Sequence, residues 1–397
     1  MLRENIRKNA VEMYKNNVIT MLEFATGVGK TRIAIDCLST SQSPKVLVVV
    51  AETLHKAVWK EEFIKWGYAD NNVTTICYAS LKKCIDIDWD VIILDEAHHI
   101  TSEKRMLIFR ELHYNKMLML SATMPPSLIQ LAKVVQPIIG RYTITLEQAI
   151  EYNILPKPEV ILVPITLDNV KVNRVHTYKR GSATKAQQYT CYYKDRFIYL
   201  SNKSKYPNLV LNVKCTAKEM YTILNDTVEY LKTLYYGSLT APTKNAWMAA
   251  GLKRKKFLGE LKYDITRKLI STHLANKRYI CFCSSVKQAK ELGKKNAIHS
   301  TNPKTMGVLK KFNNKEIDNI YAVGMLQEGH NLVDIDAGVI IQLDGQVRSF
   351  IQKFGRTIRG THPLQYIIYV KDTQDEVYLK NVTNNINKEF IYTLEIN

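Results

Sequence analysis

Short apolar runs alternate with amphipathic stretches along the first 150 residues of the chain. The apolar runs have the length of buried strands, and the stretches between them repeat apolar residues every three or four positions, as helices do. Alternation of this kind is typical of a parallel sheet covered by helices. The predicted strands are residues 18–24, 46–50, 73–77, 91–94 and 117–120, and the predicted helices include residues 32–38 and 56–66.

The same alternation returns after about residue 275. We therefore expect two α/β domains, each with a parallel sheet. In the second domain the predicted strands are residues 279–283, 297–299, 319–323, 339–343 and 366–370, and the predicted helices include residues 286–292 and 350–358.

A different pattern separates the two predicted domains. Residues 216–236 and 252–274 have helical periodicity, and residues 171–196 are basic and rich in tyrosine. We interpret this region as a linker with an inserted or peripheral helical and basic element. The predicted boundaries are residues 1–162 for the first domain, 163–270 for the connecting region and 271–397 for the second domain.

The charge of the chain narrows the choice of partners. Its 397 residues include 56 Lys and Arg against 37 Asp and Glu, which gives a net charge of +19. A chain this basic is expected to bind a polyanion, either nucleic acid or an anionic membrane surface. No apolar run approaches the roughly 20 residues that cross a bilayer, and the N-terminal residues lack the apolar stretch of a signal peptide. Nucleic acid is therefore the expected partner, and a membrane is not.

The composition is typical of a folded protein in a reducing compartment. Hydrophobic residues make up 46% and charged residues 23% of the chain, proportions that exclude a disordered protein. The seven cysteines form no CxxC, and the two thiols of Cys281 and Cys283 are too few for a zinc site. We expect reduced cysteines and a cytoplasmic protein, from a bacterium or a virus-infected cell.

The strongest local motif is Ala-Thr-Gly-Val-Gly-Lys-Thr at residues 25–31, between a predicted strand and a predicted helix. Its two glycines let backbone N–H groups turn toward a phosphate chain, and the helix N-terminus adds its positive end. Lys30 is expected to neutralise the β- and γ-phosphates of ATP, and the Thr31 hydroxyl to bind Mg²⁺. The alternative is a structural turn, because Phe24 occupies the position of the first glycine in the pattern GxxxxGK[ST]. The predicted ATP contacts are Thr26, Gly27, Val28, Gly29, Lys30 and Thr31.

A second motif, Asp-Glu-Ala-His at residues 95–98, follows an apolar strand. The end of a strand would direct Asp95 at the metal of the phosphate site, partly through water, and Glu96 could orient the attacking water as a catalytic base. His98 could couple this site to neighbouring groups by a hydrogen bond. The alternative is an acidic loop after a core strand.

Together, these two motifs resemble those of the superfamily 2 helicases and translocases of the DEAH-box type. Residues 121–123 (Ser-Ala-Thr) resemble motif III of this family, which links the ATP state to the grip on nucleic acid. Residues 46–53 and 78–81 resemble the backbone-contacting motifs Ia and Ic, residues 280–285 resemble motif IV, and residues 325–331 resemble motif V. The resemblance covers about residues 1–150 and 275–360, and it implies two RecA-like domains with ATP between them.

Motif VI of the family, QxxGRxxR, is matched at each fixed position by residues 352–359. Gln352, Arg356 and Arg359 would share one face of a helix, because they are four and three residues apart. The resemblance implies that they point across an interdomain cleft, where the two arginines would stabilise transition-state charge. An arginine finger of this kind is worth on the order of 10³–10⁵ in rate. The alternative is a basic, solvated helix face.

Two positions depart from the family pattern. The family reads adenine with a glutamine near the N-terminus, and residues 2–10 (LRENIRKNA) lack it. Arg3 or Arg7 is then the candidate to stack on the base. Motif V of the family often ends in Gly-x-Asp, whereas Gly329 is followed here by His330 and Asn331.

The basic segment 171–196 matches no motif of the family. Its lysines and arginines are interleaved with tyrosines, a composition that suits a surface tracking a nucleic-acid strand, since charges hold phosphates and rings stack on bases. The alternative is a solvated linker whose tyrosines pack locally. The tyrosines concerned are Tyr178, Tyr189, Tyr192 and Tyr193.

These patterns predict a helicase or translocase that hydrolyses ATP with Mg²⁺ and binds nucleic acid. DNA is favoured over RNA, because residues 154–158 (ILPKP) and 328–331 (EGHN) resemble phage branch-migration helicases and type I or III restriction motors. The alternatives are an RNA helicase, an ATP-switched DNA-binding motor subunit that separates no strands, and an ATPase acting on a protein or metabolite.

Overall fold

The computed structural model describes residues 2–324, 332, 334–343, 347–357, 362–384 and 386–396, and at positions 54, 347, 348, 351 and 356 the backbone alone. Two parallel sheets, one of six strands and one of seven, form the centres of two α/β units. A separate sheet of three strands lies between them in the sequence. This architecture confirms the predicted fold class of two RecA-like domains.

The first sheet has the strand order β3-β2-β4-β5-β1-β6, and every pairing in it is parallel. Its central strands are buried on both faces, as in Val46–Val50, because helices cover both sides. The strands are β1 (Ile19–Phe24), β2 (Val46–Val50), β3 (Val73–Cys77), β4 (Asp88–Asp95), β5 (His113–Ser121) and β6 (Ile139–Ile144). The helices are α1 (Leu2–Asn16), α2 (Lys30–Leu38), α3 (Thr53–Lys65), α4 (Glu103–Arg110), α5 (Pro126–Val135) and α6 (Leu146–Glu151).

The second sheet has the order β12-β13-β11-β14-β15-β7-β16, and it is parallel throughout. Its strands are β7 (Glu159–Ile165), β11 (Tyr279–Phe282), β12 (Ala297–His299), β13 (Asn319–Val323), β14 (Ala337–Ile340), β15 (Leu364–Val370) and β16 (Ile391–Thr393). Its helices are α11 (Val286–Gly293), α12 (Thr305–Asn313), α13 (Val347–Thr357) and α14 (Gln374–Thr383).

Strand β7 joins the second sheet although it lies early in the chain. It pairs with β15 from Glu159↔Leu364 to Ile165↔Val370. The sequence pattern did not indicate this strand, since Pro164 within the run argues against a strand interior. The predicted domain boundary at residue 162 falls inside β7, so residues 159–162 pack with the second sheet.

The basic, tyrosine-rich segment folds into a small β subdomain. Strand β10 (Leu209–Cys215) lies between β8 (Arg174–Arg180), which is antiparallel to it, and β9 (Gln187–Tyr192), which is parallel. A short helix, α7 (Arg196–Leu200), follows β9. Of the four tyrosines named above, Tyr178, Tyr189 and Tyr193 pack against the buried core of the subdomain, whereas Tyr192 is exposed.

A long helical hairpin connects this subdomain to the second sheet. Helix α8 (Ala217–Ser238) and helix α9 (Ala241–Leu261) are joined by a two-residue turn, and α10 (Tyr263–His273) follows. At the end of α9, fully buried Lys262 forms an ion pair of 2.5 Å with Asp375 and donates to the Ile341 carbonyl at 2.6 Å. The pair joins the hairpin to α14 and to the sheet.

In the described part of the chain, no helix combines the length and the apolar composition that a bilayer span requires.

Candidate active site

The loop after β1 has a backbone that only glycine adopts readily. Gly27 and Gly29 have φ of +95° and +105°, a region that L-residues rarely enter. Gly29 is the residue before α2, so the loop delivers the unpaired N–H groups of the first helical turn to one point. A Cβ on Gly27 would lie 3.0 Å from Leu155 Cδ2, whereas a Cβ on Gly29 would meet open space. The geometry suits a phosphate group at the N-terminus of α2.

Phe24, which replaces the first glycine of the pattern, is the last residue of β1. Its ring is buried and packs edge-on against Tyr142 at 5.1 Å between ring centroids. Its φ is not positive, so this position has no need of glycine. The Phe24 carbonyl accepts a hydrogen bond of 2.9 Å from Lys30 Nζ, which places the ammonium beside the loop.

Asp95 and Glu96 stand at the carboxyl end of β4, in the same sheet as the phosphate loop. Glu96 has φ 50° and ψ 53°, a left-handed conformation that costs a residue other than glycine about 1–2 kcal/mol. Such strain at a strand end is common where a side chain must be aimed at a reacting group. The Glu96 carboxylate is only 12% exposed and lies 3.4 Å from His98 Nδ1.

Burial raises the pKa of Asp95, and the adjacent negative charge of Glu96 raises it further. The hydrogen bond from Trp59 and the charges of His55 and Lys30 act in the opposite direction. A bound cation would hold both carboxylates in the ionised form, which is the form that ligates Mg²⁺. The arrangement therefore fits the metal that the sequence motifs imply.

Two hydrogen bonds that the sequence analysis did not predict hold Asp95 in place. Trp59 Nε1, on α3, donates to Asp95 Oδ2 at 2.9 Å. Tyr78, from the segment that resembles motif Ic, donates its hydroxyl to the Asp95 carbonyl at 2.9 Å. His55, one turn before Trp59 on the same helix, is 2% exposed. Only the tertiary structure brings Trp59 and Tyr78 to Asp95.

His98 connects the acidic motif to the segment after β5. Its Nδ1 lies 3.0 Å from the Ser121 hydroxyl, and that hydroxyl donates to the Thr123 carbonyl at 2.7 Å. The Met124 N–H donates to the Glu23 carboxylate on β1 at 2.9 Å. A chain of polar contacts therefore runs from Glu96 through motif III to the strand that precedes the phosphate loop.

The second domain reaches this site through α13. A Cβ on Gly355 would lie only 2.7 Å from the Thr26 Cβ, so the helix packs directly on the phosphate loop. Gln352 is buried in the same helix, at 2% exposure. Phe350, also on α13, lines a cleft together with residues of the first domain, among them Ala25, Thr123 and Glu147. The interface between the domains thus includes the predicted nucleotide site.

The remaining predicted site residues are placed as follows. Thr26 and Val28 are buried in the loop, and Thr31 is partly buried in the first turn of α2. Arg3 donates to the Ile154 carbonyl, and Arg7 is held by Asp36 on α2 at 2.7 Å. Arg356 belongs to α13, whereas Arg359 and the motif V residues 325–331 lie outside the described residues.

Among the described residues, no three His, Cys, Asp or Glu side chains form a metal-binding cluster. Magnesium commonly uses one or two protein carboxylates and takes its other ligands from water and substrate phosphates. Thr31 and Asp95 are the residues that would hold such an ion.

Comparison with known proteins supports the same architecture. The helicase conserved C-terminal domain matches residues 261–361. The Hef helicase domain of Pyrococcus furiosus is 16% identical with a TM-score of 0.51, and the similarity covers 95% of this chain and 96% of that one. A variant of S. cerevisiae Dbp5 bound to RNA and ADP BeF3 is 12% identical with a TM-score of 0.60, over 98% of this chain and 89% of that one.

No curated protein matches the chain in sequence. At these low identities the similarity to solved structures concerns the fold alone. Together with the match over residues 261–361, it shows that the chain has two RecA-like α/β domains, the second of which contains a helicase C-terminal domain.

Proposed function

We propose that the protein is a nucleic-acid-dependent ATPase that works as a helicase or translocase. The observation that supports this most directly is the packing of α13 on the phosphate loop, with Gly355 against Thr26. A nucleotide in that loop would contact both domains, so that its hydrolysis could change how they are arranged.

We assign the roles of the residues from the sequence motifs and, for the described residues, from their contacts. Backbone N–H groups of residues 26–31 and the Lys30 ammonium hold the phosphates, and Arg3 is the candidate for the base. Thr31 and Asp95 would hold Mg²⁺, which would supply positive charge against the phosphates. Glu96 orients the attacking water and accepts its proton. Gln352, Arg356 and Arg359 act from the second domain, where the arginines stabilise the transition state.

Two contacts could relay the state of the nucleotide to nucleic acid. Trp59 joins α3, next to the segment resembling motif Ia, to the Asp95 carboxylate. Tyr78 joins the segment resembling motif Ic to the backbone of the same residue. A change in the ligands of Asp95 would thus move Trp59 and Tyr78, and with them both segments that are expected to contact the nucleic-acid backbone.

We further propose DNA as the preferred track. This preference rests on the sequence of residues 154–158 and 328–331, which resembles DNA-remodelling members of the family. RNA is the alternative, since a Dbp5 structure of similar fold was determined with RNA bound.

The test is the ATPase rate without nucleic acid and then with single-stranded DNA, duplex DNA, branched DNA and RNA. We expect strong stimulation by DNA, and the most effective form identifies the track. Glu96→Gln is the control, since it should keep nucleotide binding and lose turnover. A rate that no nucleic acid changes contradicts the motor, and stimulation by RNA alone contradicts the preference for DNA.

A further inference from the structure

The far end of the α8–α9 hairpin exposes large apolar side chains to solvent. Tyr236 is 61% and Leu239 70% exposed. Four further apolar residues of the same stretch are exposed: Tyr230, Leu234, Met248 and Leu252. An uncovered apolar surface of this kind on a projecting element marks a site of interaction.

Three aromatic rings are clustered at this end. Tyr235 and Trp247 are stacked with their centroids 5.6 Å apart and an angle of 21° between the rings. Tyr236 lies 5.3 Å from Tyr235 and 5.9 Å from Trp247. We call residues 230–252 the hairpin tip. Its rings have flat faces that the hairpin itself leaves partly uncovered, and such faces can accept a further planar group.

The charge of the hairpin points to the kind of partner. Residues 230–259 contain no Asp or Glu, and the flanking residues Glu229 and Glu260 form ion pairs back to this segment. Protein interfaces are depleted in lysine, whereas sites for single-stranded nucleic acid combine basic residues with aromatic rings. The basic residues of the segment that are not buried are Lys232, Lys244, Lys253, Lys255 and Lys256.

The base of the hairpin is held firmly by the second domain. Arg254 is buried and donates to Asn225 on α8 at 2.6 Å and to Gln374 on α14 at 3.2 Å. Tyr221 accepts a hydrogen bond of 2.8 Å from the Gln374 N–H. Gln288 on α11 donates to the Gly259 carbonyl at 3.0 Å. The tip is therefore a rigid projection of the second domain and not a loose loop.

We propose that the hairpin tip binds unpaired bases by stacking and so keeps two separated strands apart. The inference rests on the proposed nucleic-acid motor and adds to it the element that contacts bases. Stacking of a base on an aromatic side chain is worth about 1–3 kcal/mol and tolerates any sequence. The lysines of the hairpin would hold the phosphates of the same strand.

The first experiment uses tryptophan fluorescence, because stacked bases quench an indole. Oligo-dT and oligo-rU are titrated into the full-length protein. Quenching is expected in the wild type and should disappear in Trp247→Phe. The matched control is Trp66→Phe, which removes an indole that lies in the first domain against Arg32 and bonded to Glu62. Quenching that survives in Trp247→Phe overturns the proposal.

The second experiment measures affinity and strand separation. Tyr236→Ala should weaken binding of single-stranded oligonucleotides by roughly 5- to 150-fold, which corresponds to one stacked base. It should also slow the opening of a forked duplex while the thermal midpoint stays unchanged. Tyr392→Ala, at an exposed tyrosine of β16, is the control and should alter neither quantity.

The outcomes separate this proposal from the proposed function. If no nucleic acid stimulates the ATPase, the motor itself is wrong. If nucleic acid stimulates the ATPase of Tyr236→Ala and binds it with wild-type affinity, the tip proposal is overturned and the motor stands. Tip variants that change self-association but not oligonucleotide affinity also overturn it, in favour of a protein-docking surface.

Discussion

The two α/β domains have similar sheets but hold their functional groups in opposite ways. In the first domain, the key groups stand on left-handed backbone in the loops that follow the strands: Gly29 at φ +105° just before α2, and Glu96, which is strained, at φ +50° after β4. In the second domain, a fully buried ion pair between Lys262 and Asp375 joins the hairpin to the sheet. The first arrangement aims side chains at a ligand, and the second keeps a large projection rigid. Substitutions in the first region should therefore lower activity, and substitutions in the second should lower stability.

The largest effect is expected from Lys30→Ala in the first domain. Losing one electrostatic contact to the transferring phosphoryl group should lower kcat on the order of 10³-fold. Thermal unfolding should stay close to that of the wild type, because the Lys30 side chain is only partly buried. ATPase assays and calorimetry on the same sample check both statements. Normal turnover in this variant would show that the phosphate site is elsewhere.

Lys262→Met tests the second domain. It should lower the stability of that domain, whereas Lys30→Ala lowers kcat and leaves stability unchanged. Burial lowers the pKa of Lys262, although the charge and hydrogen bond of Asp375 act to raise it. Removing one partner of such a buried pair leaves the other charge unpaired, at a cost of about 3–5 kcal/mol in the free energy of unfolding. Unfolding of the second domain, followed by calorimetry, should shift to lower temperature.

The control for this variant is the double substitution Lys262→Met and Asp375→Leu. It removes both charges and should recover most of the lost stability. If the single variant unfolds as the wild type does, the ion pair does not hold the hairpin to the sheet.

The smallest effect is expected at the contact between the domains. Gly355→Ala places a Cβ 2.7 Å from the Thr26 Cβ, so α13 must withdraw from the phosphate loop. A displacement of this order should lower kcat about 10- to 100-fold. Alanine is the better helix former by about 1 kcal/mol, so the second domain should be no less stable.

Kinetics and calorimetry on the same Gly355→Ala sample check whether kcat falls while the stability of the second domain is kept. Thr26→Gly, combined with Gly355→Ala, removes the opposing Cβ and should restore part of the rate. If Gly355→Ala lowers both kcat and the unfolding temperature of the second domain, the substitution disturbs the fold of α13 and not the approach of the domains.

Sequence patterns predicted the parts of the molecule that are formed by residues close together in the sequence. Confirmed elements include the two parallel sheets, whose buried strands are short apolar runs. The phosphate loop and the Asp-Glu pair could be proposed from the sequence because their residue types and spacing are local. The roles assigned to Lys30, Glu96 and Arg356 remain predictions until the variants are measured.

The features that escaped prediction depend on contacts between distant residues. Trp59 reaches Asp95, and Lys262 reaches Asp375, only after the chain has folded. The three-stranded sheet escaped because its outer strands, RVHTYKR and QQYTCY, are largely polar and place no series of aliphatic residues on one face. Helical periodicity predicted α8 but could not tell which of its apolar residues would remain exposed, since that depends on what packs against the hairpin.

The anchoring of the hairpin has a mechanical consequence. A helix of 22 residues is about 33 Å long, and its base is fixed to the second domain through Arg254 and Lys262. The hairpin is therefore a lever arm. A rotation of the second domain by about 6° would sweep the tip through about 3.4 Å, which is the spacing of nucleotides along one strand of a duplex. A small rotation of the second domain about the nucleotide cleft would thus move the tip by the spacing of one base.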